Sequence, residues 1–216
     1  YLAAGYAAVW ATENTREAVF DAMTRRETYG TSGTRMTVRF FGGYGYTPED
    51  ARSRYLAEVG YSKGVPMGGD LKPAAGGKVP TFLVAALKDP QGANLDRIQV
   101  VKGWLDGSGK AQEKVYDVVW SGDRKPGKDG KLPSVGDTVD VARATYTNTI
   151  GAAELTAVWK DPDFKPGQRA FYYARVIEIP TPRWTAYDQA RFGVKMSAEV
   201  PMKQQERAWT SPIWYS

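Results

Sequence analysis

Between residues 79 and 179 the chain is divided by Gly, Pro, Asp and Asn into short apolar runs, and nothing between those runs repeats at helical spacing. An extended chain sends successive side chains to opposite faces, so alternation of this kind reads as strands half-buried against a core. The pattern predicts strands at 79–87, 98–105, 114–120, 138–146, 154–159 and 169–179. The clearest pairing joins 99–105 to 113–119 through Asp106-Gly107-Ser108-Gly109-Lys110, a Gly-rich hairpin connection. Strands at this spacing make a mainly β fold, an antiparallel β-sandwich of jelly-roll-like outline.

Before residue 79 the signals are mixed. Asn14 is placed as an N-cap with Glu17 in the first turn, and Ala18, Val19, Ala22 and Met23 then recur at helical spacing. A turn at Thr28-Tyr29-Gly30-Thr31-Ser32-Gly33 leads into an alternating strand, 34–41, which Gly42-Gly43 ends. Thr47-Pro48-Glu49-Asp50 reads as the start of a second helix reaching about residue 59, and residues 60–78 are rich enough in Gly and Pro to read as a long loop. Pro180-Thr181-Pro182 closes the last long strand and leaves a tail that reads as irregular and strongly aromatic. The chain of 216 residues, 42% hydrophobic, is ample for a real core.

The chain has no His and no Cys, which removes disulfides, thiolate chemistry and imidazole as ligand or base. Chemistry within it falls to carboxylates, Lys, Tyr or Ser, and neither catalytic residues nor metal ligands are assigned. Exported bacterial proteins often avoid unpaired thiols, so a periplasmic or secreted location is expected over a cytoplasmic one. A net charge of +5 is spread among interleaved acids, without the basic stripe that nucleic acid would require. No run is long and apolar enough to span a bilayer. The abrupt apolar start, Leu2 to Trp10, is expected to be the middle of a longer protein.

Thr31, Ser32 and Arg35 follow a helix and open a strand, and Arg35 offers a planar fork for an anionic group. Arg183 beside Trp184, and Arg207 leading into Trp209, Trp214 and Tyr215, gather residue types that dominate binding surfaces. These five residues, Thr31, Ser32, Arg35, Arg183 and Arg207, are the substrate-binding candidates. Gly64-Val65-Pro66-Met67-Gly68-Gly69-Asp70 reads first as a structural loop, with Asp70 its one cation-facing group. Asp123, Asp129 and Asp137 lack the spacing of a calcium loop and lie among Lys125, Lys128 and Lys131, so a solvated excursion is expected there.

Several segments resemble one known family. Glu13-Asn14-Thr15-Arg16-Glu17-Ala18-Val19-Phe20-Asp21-Ala22-Met23, Glu27-Thr28-Tyr29-Gly30-Thr31-Ser32-Gly33-Thr34-Arg35, Gln99-Val100-Val101-Lys102-Gly103-Trp104, Glu178-Ile179-Pro180-Thr181-Pro182-Arg183-Trp184 and the run from Gln205 to Tyr215 resemble the C-terminal half of the domain-of-unknown-function 3604 family of bacterial proteins. The resemblance implies an upstream half similar to the polymerase-and-histidinol-phosphatase (PHP) metallohydrolases, whose barrel holds divalent metals that activate water on an ester or phosphoester. It implies that the metal site ends just before Gly5 to Trp10. Residues 1–42 would then be the last helix and strand of that barrel, and 43–216 a β-sandwich whose C-terminal tail packs back on it. The partner implied is the chain's own N-terminal half. The expected function is the C-terminal portion of a metal-dependent hydrolase, scaffold and cleft wall; a ligand- or carbohydrate-binding sandwich and a purely structural module are the alternatives.

Overall fold

The computed structural model describes residues 5–216; Tyr1 to Ala4, including the start of the apolar N-terminal run, lie outside the described residues. In chain order the elements are β1 (Tyr6–Val9), α1 (Arg16–Thr24), β2 (Thr28–Thr31), β3 (Thr37–Gly43), α2 (Leu56–Lys63), β4 (Gly64–Pro66), β5 (Asp70–Leu71), β6 (Thr81–Leu87), β7 (Leu95–Leu105), β8 (Ala111–Trp120), β9 (Glu154–Lys160), β10 (Ala170–Glu178), β11 (Thr181–Pro182), α3 (Trp184–Phe192), β12 (Lys203–Gln204), β13 (Arg207–Thr210) and β14 (Ile213–Tyr215). Short 3₁₀ turns lie at Asp50–Arg52 and Ala75–Gly77.

The fold is mainly β and its sheets are antiparallel apart from the short β14–β5 pairing. Among the described residues, one sheet runs β4-β3-β6-β9 and a larger one is organised on β10. One edge of β10 pairs with β7, which pairs with β8. Its other edge is shared: Ala170 to Tyr172 face β14, and Arg175 to Ile177 face β13, which carries on to β2 and β1. Alternation explains the register. Ala170, Tyr172, Ala174 and Val176 are buried while Phe171, Tyr173 and Arg175 are half-buried. Phe40 of β3 stacks on Phe82 of β6 at 5.5 Å, and Phe82 meets Tyr172 of the other sheet at 4.5 Å, so the two inner faces close a single apolar core. Each such large side chain contributes roughly 1.5–3 kcal/mol by burial. On the outer side of the smaller sheet, Phe41 and Leu83 take α2 through Leu56 and Val59.

The hairpin expected at 99–119 forms, with Leu105 opposite Ala111 and Gly109 supplying the positive φ of 79°. Other expectations need correction. No strand forms over 138–146: Asp140 and Thr145 exchange backbone hydrogen bonds, and the Asp140 carboxylate accepts from Arg143 N, so a local turn takes the groups a strand would have used. The N-cap of α1 is Thr15 rather than Asn14. The second helix starts later, at Leu56, because Asp50 closes a turn on Thr47 N and then ties itself to Lys63 at 2.8 Å. Residues 60–78 contain β4 and β5, and the aromatic tail is built into β11 to β14 and α3 rather than being irregular. Across residue 42, β3 pairs along its whole length with β6, and β2 pairs with β13.

Candidate functional site

The inward phase of β10 does not stop at Val176. Glu178 continues it, is fully buried, and has no hydrogen-bond partner for either carboxyl oxygen. Its main chain is well held: its N–H donates to Glu206 O at 2.9 Å, and Gln205 Nε2 donates to its carbonyl at 2.8 Å. Glu178 is among the residues lining a cleft of about 270 Å³, together with Thr34, Asp89, Tyr146, Tyr187 and Glu206. Thr34 Oγ1 is also buried without a partner.

Burial pushes the Glu178 carboxyl up to about 7. The Thr34 hydroxyl, close by but outside hydrogen-bonding geometry, opposes that rise, the charges of Glu206 and Asp89 add to it, and Lys88 opposes it. Asp89 is held below the usual carboxylate range by the amides of Arg35 and Gln91, at 2.8 and 2.9 Å. The Lys88 ammonium donates to the carbonyls of Asp89 and Gly92, each at 2.9 Å, so it is held by the main chain and not by a cleft carboxylate, and its charge still acts on Glu178. Glu206 is held by Ser32 Oγ and by the Gln204 amide.

The candidates from the sequence surround this cleft without lining it. Ser32 grips Glu206 and accepts from Arg207 N at 2.8 Å; Arg35 grips Asp89 through its amide while its guanidinium lies 5.6 Å from the Tyr6 ring centre. Thr31 is buried in β2 with its hydroxyl unpartnered. Arg183 precedes α3 with its guanidinium 6.0 Å from the Trp184 ring centre. Sequence reasoning missed the three carboxylates that line the cleft. For Glu178 a signal existed: an acid in the inward phase of an otherwise apolar strand. Asp89 and Glu206 sit in connections, where nothing in the sequence marks them.

Elsewhere, Asp70 pairs with Arg26 at 3.4 Å, and Asp137 pairs with Lys203. A second, larger groove of about 650 Å³ lies against β7, β8, β10 and β14, bordered by Leu105, Glu113, Arg169, Phe171 and Trp214. Phe171 and Trp214 meet there at 5.3 Å, and Trp214 is 41% exposed. Trp104 and Trp159 instead pack against the core, and Trp120 Nε1 donates to Arg124 O. Among the described residues no three His, Cys, Asp or Glu side chains come together to hold a metal ion, and no helix is long and apolar enough to cross a membrane.

A family model described as "Protein of unknown function (DUF3604)" matches residues 1–216. The chain belongs to this family. No curated protein and no solved structure matches it.

Proposed function

We propose that this DUF3604 chain is the β-sandwich portion of a larger metal-dependent hydrolase of the PHP type, in which it supplies scaffold and one wall of a substrate cleft. The observation that carries the reading is Glu178, buried and unpartnered beneath an opening. A buried carboxyl without hydrogen bonds costs about 1–3 kcal/mol or more, so a part selected for stability alone has no use for one. With its proton affinity raised to about 7, this group can hold or release a proton near neutral pH. The described residues do not fit a metal centre of their own, since no three ligating side chains converge. In this reading the metal and the ester or phosphoester chemistry belong to the PHP-like upstream half that the family resemblance implies.

The test is turnover of chromogenic phosphoesters with Mg²⁺, Mn²⁺ or Zn²⁺, measured on this chain alone and on the longer polypeptide in which it follows an upstream segment. Turnover is expected only from the longer form and is expected to drop in Glu178→Gln. Absence of turnover in both forms sinks the hydrolase reading. A second reading, a carbohydrate-binding sandwich, is favoured by the exposed Trp214 beside Phe171 in the larger groove, where sugar rings could stack.

A further inference from the structure

We infer that the cleft over Glu178 binds a small organic cation, an ammonium or guanidinium group on a compact carbon frame. The inference names a ligand class for the cleft wall proposed above and rests on that wall being a recognition surface.

Charge sets the class. The chain is basic as a whole, yet this cleft is lined by Glu178, Glu206 and Asp89, and the nearby cation, Lys88, has its ammonium committed to main-chain carbonyls. An anion would meet three carboxylates. An apolar ligand would leave the buried Glu178 carboxyl as it is, without a partner and with its desolvation cost unrelieved. A metal ion needs several ligands converging on one point, and no such group exists among the described residues. An organic cation needs less strict convergence: an ammonium has three donors and a guanidinium five, and an ionised Glu178 offers about four unused lone-pair sites. Tyr146 and Tyr187 line the same cleft, and aromatic side chains of this kind attract cations; the Tyr187 ring already lies 6.0 Å from the Arg191 guanidinium. Size sets the frame. A volume of about 270 Å³ holds about nine water-sized groups, room for a short amine and too little for a folded peptide.

The experiment is calorimetric titration of this chain alone, without metal or ester, using agmatine and 1,4-diaminobutane as probes and butyramide as the neutral control. Inorganic phosphate serves as the anionic control. Saturable binding of at least one cation is expected at pH 8, with butyramide and phosphate silent. Glu178→Gln keeps the side chain's shape and removes its charge; it is expected to weaken binding at least about tenfold, while Glu113→Gln, at the other groove, leaves it unchanged. Circular dichroism of each variant confirms that it is folded. The cleft is faced by Glu206, Asp89, Tyr146 and Tyr187 as well, with Lys88 close by; the Glu178 carboxyl, pushed up to about 7, titrates in the middle of the range used. Affinity is therefore expected to fall about tenfold from pH 8 to pH 6. The inference is overturned if neither cation binds, if phosphate binds instead, if Glu178→Gln binds equally well, or if affinity is the same at both pH values. Cation binding without hydrolysis by any longer form would remove the hydrolase reading and leave this one standing.

Discussion

At the scale of single residues, two buried charges are treated in opposite ways. Lys102 and Asp161 are paired at 2.6 Å with side chains only 3% and 0% exposed, and Tyr172 OH adds a bond to the same carboxylate at 2.7 Å. Removing one member strands the other, so Asp161→Ala is expected to cost about 3–5 kcal/mol in urea unfolding. The double change Lys102→Met with Asp161→Leu is expected to cost much less; an equal loss would contradict the pairing account. Glu178 has no such partner, and its folded-state midpoint lies above its unfolded value of 4.5. The folded state therefore holds the proton more tightly, and stability is fully present below pH 4.5 and declines as pH rises through 7. We expect wild type to lose up to about 3 kcal/mol between pH 5 and pH 8, and Glu178→Gln to lose much less. The groups held below the usual carboxylate range, such as Asp89 and Asp163, act in the opposite sense only at lower pH and leave this window clear. The inward phase of Glu178 was legible in the alternation of β10; its lack of a partner was not, because that depends on Thr34, Asp89 and Glu206, which are remote in sequence.

At the scale of elements, the long strands were legible either by alternation that defines a face, as in 170–178, or as a continuous apolar run bounded by turn residues, as in 81–87. The tail strands, two to four residues each, are too short for that signal: β13 and β14 are fixed by the edge of β10, and β12 pairs with β11. The segment 138–146 had the alternation without a neighbouring edge to pair with, and local Asp140 bonds prevailed. Helix α2 shows how packing reverses a propensity. Gly60 lies inside it, where Ala would ordinarily stabilise by about 1 kcal/mol. A Cβ at that position would come within 2.5 Å of the Phe41 ring. Gly60→Ala is therefore expected to destabilise by about 1–3 kcal/mol and lower the melting temperature. A higher melting temperature would show that α2 shifts freely on the sheet.

At the scale of the whole molecule, both ends of the described chain meet in one sheet, with β13 between β10 and β2. This connection is invisible in the sequence because Ser32 and Arg207 are held together by long-range contacts alone. A chain ending at residue 205 loses β13 and β14 and the buried Ala208, Ile213 and Tyr215. It is expected to lose cooperative thermal unfolding; retention of a sharp transition would mean that the tail is peripheral. The same closure places the loop after β2, the turn after β6 and the end of β10 around one acidic cleft. On the proposed reading, Glu178 in its lining is kept unpaired for use. The most direct measurement is a carbon-13 NMR titration of the Glu178 carboxyl carbon in the folded chain. The account predicts a midpoint of about 7, falling when agmatine is added. A midpoint in the ordinary glutamate range, unmoved by the cation, would contradict it.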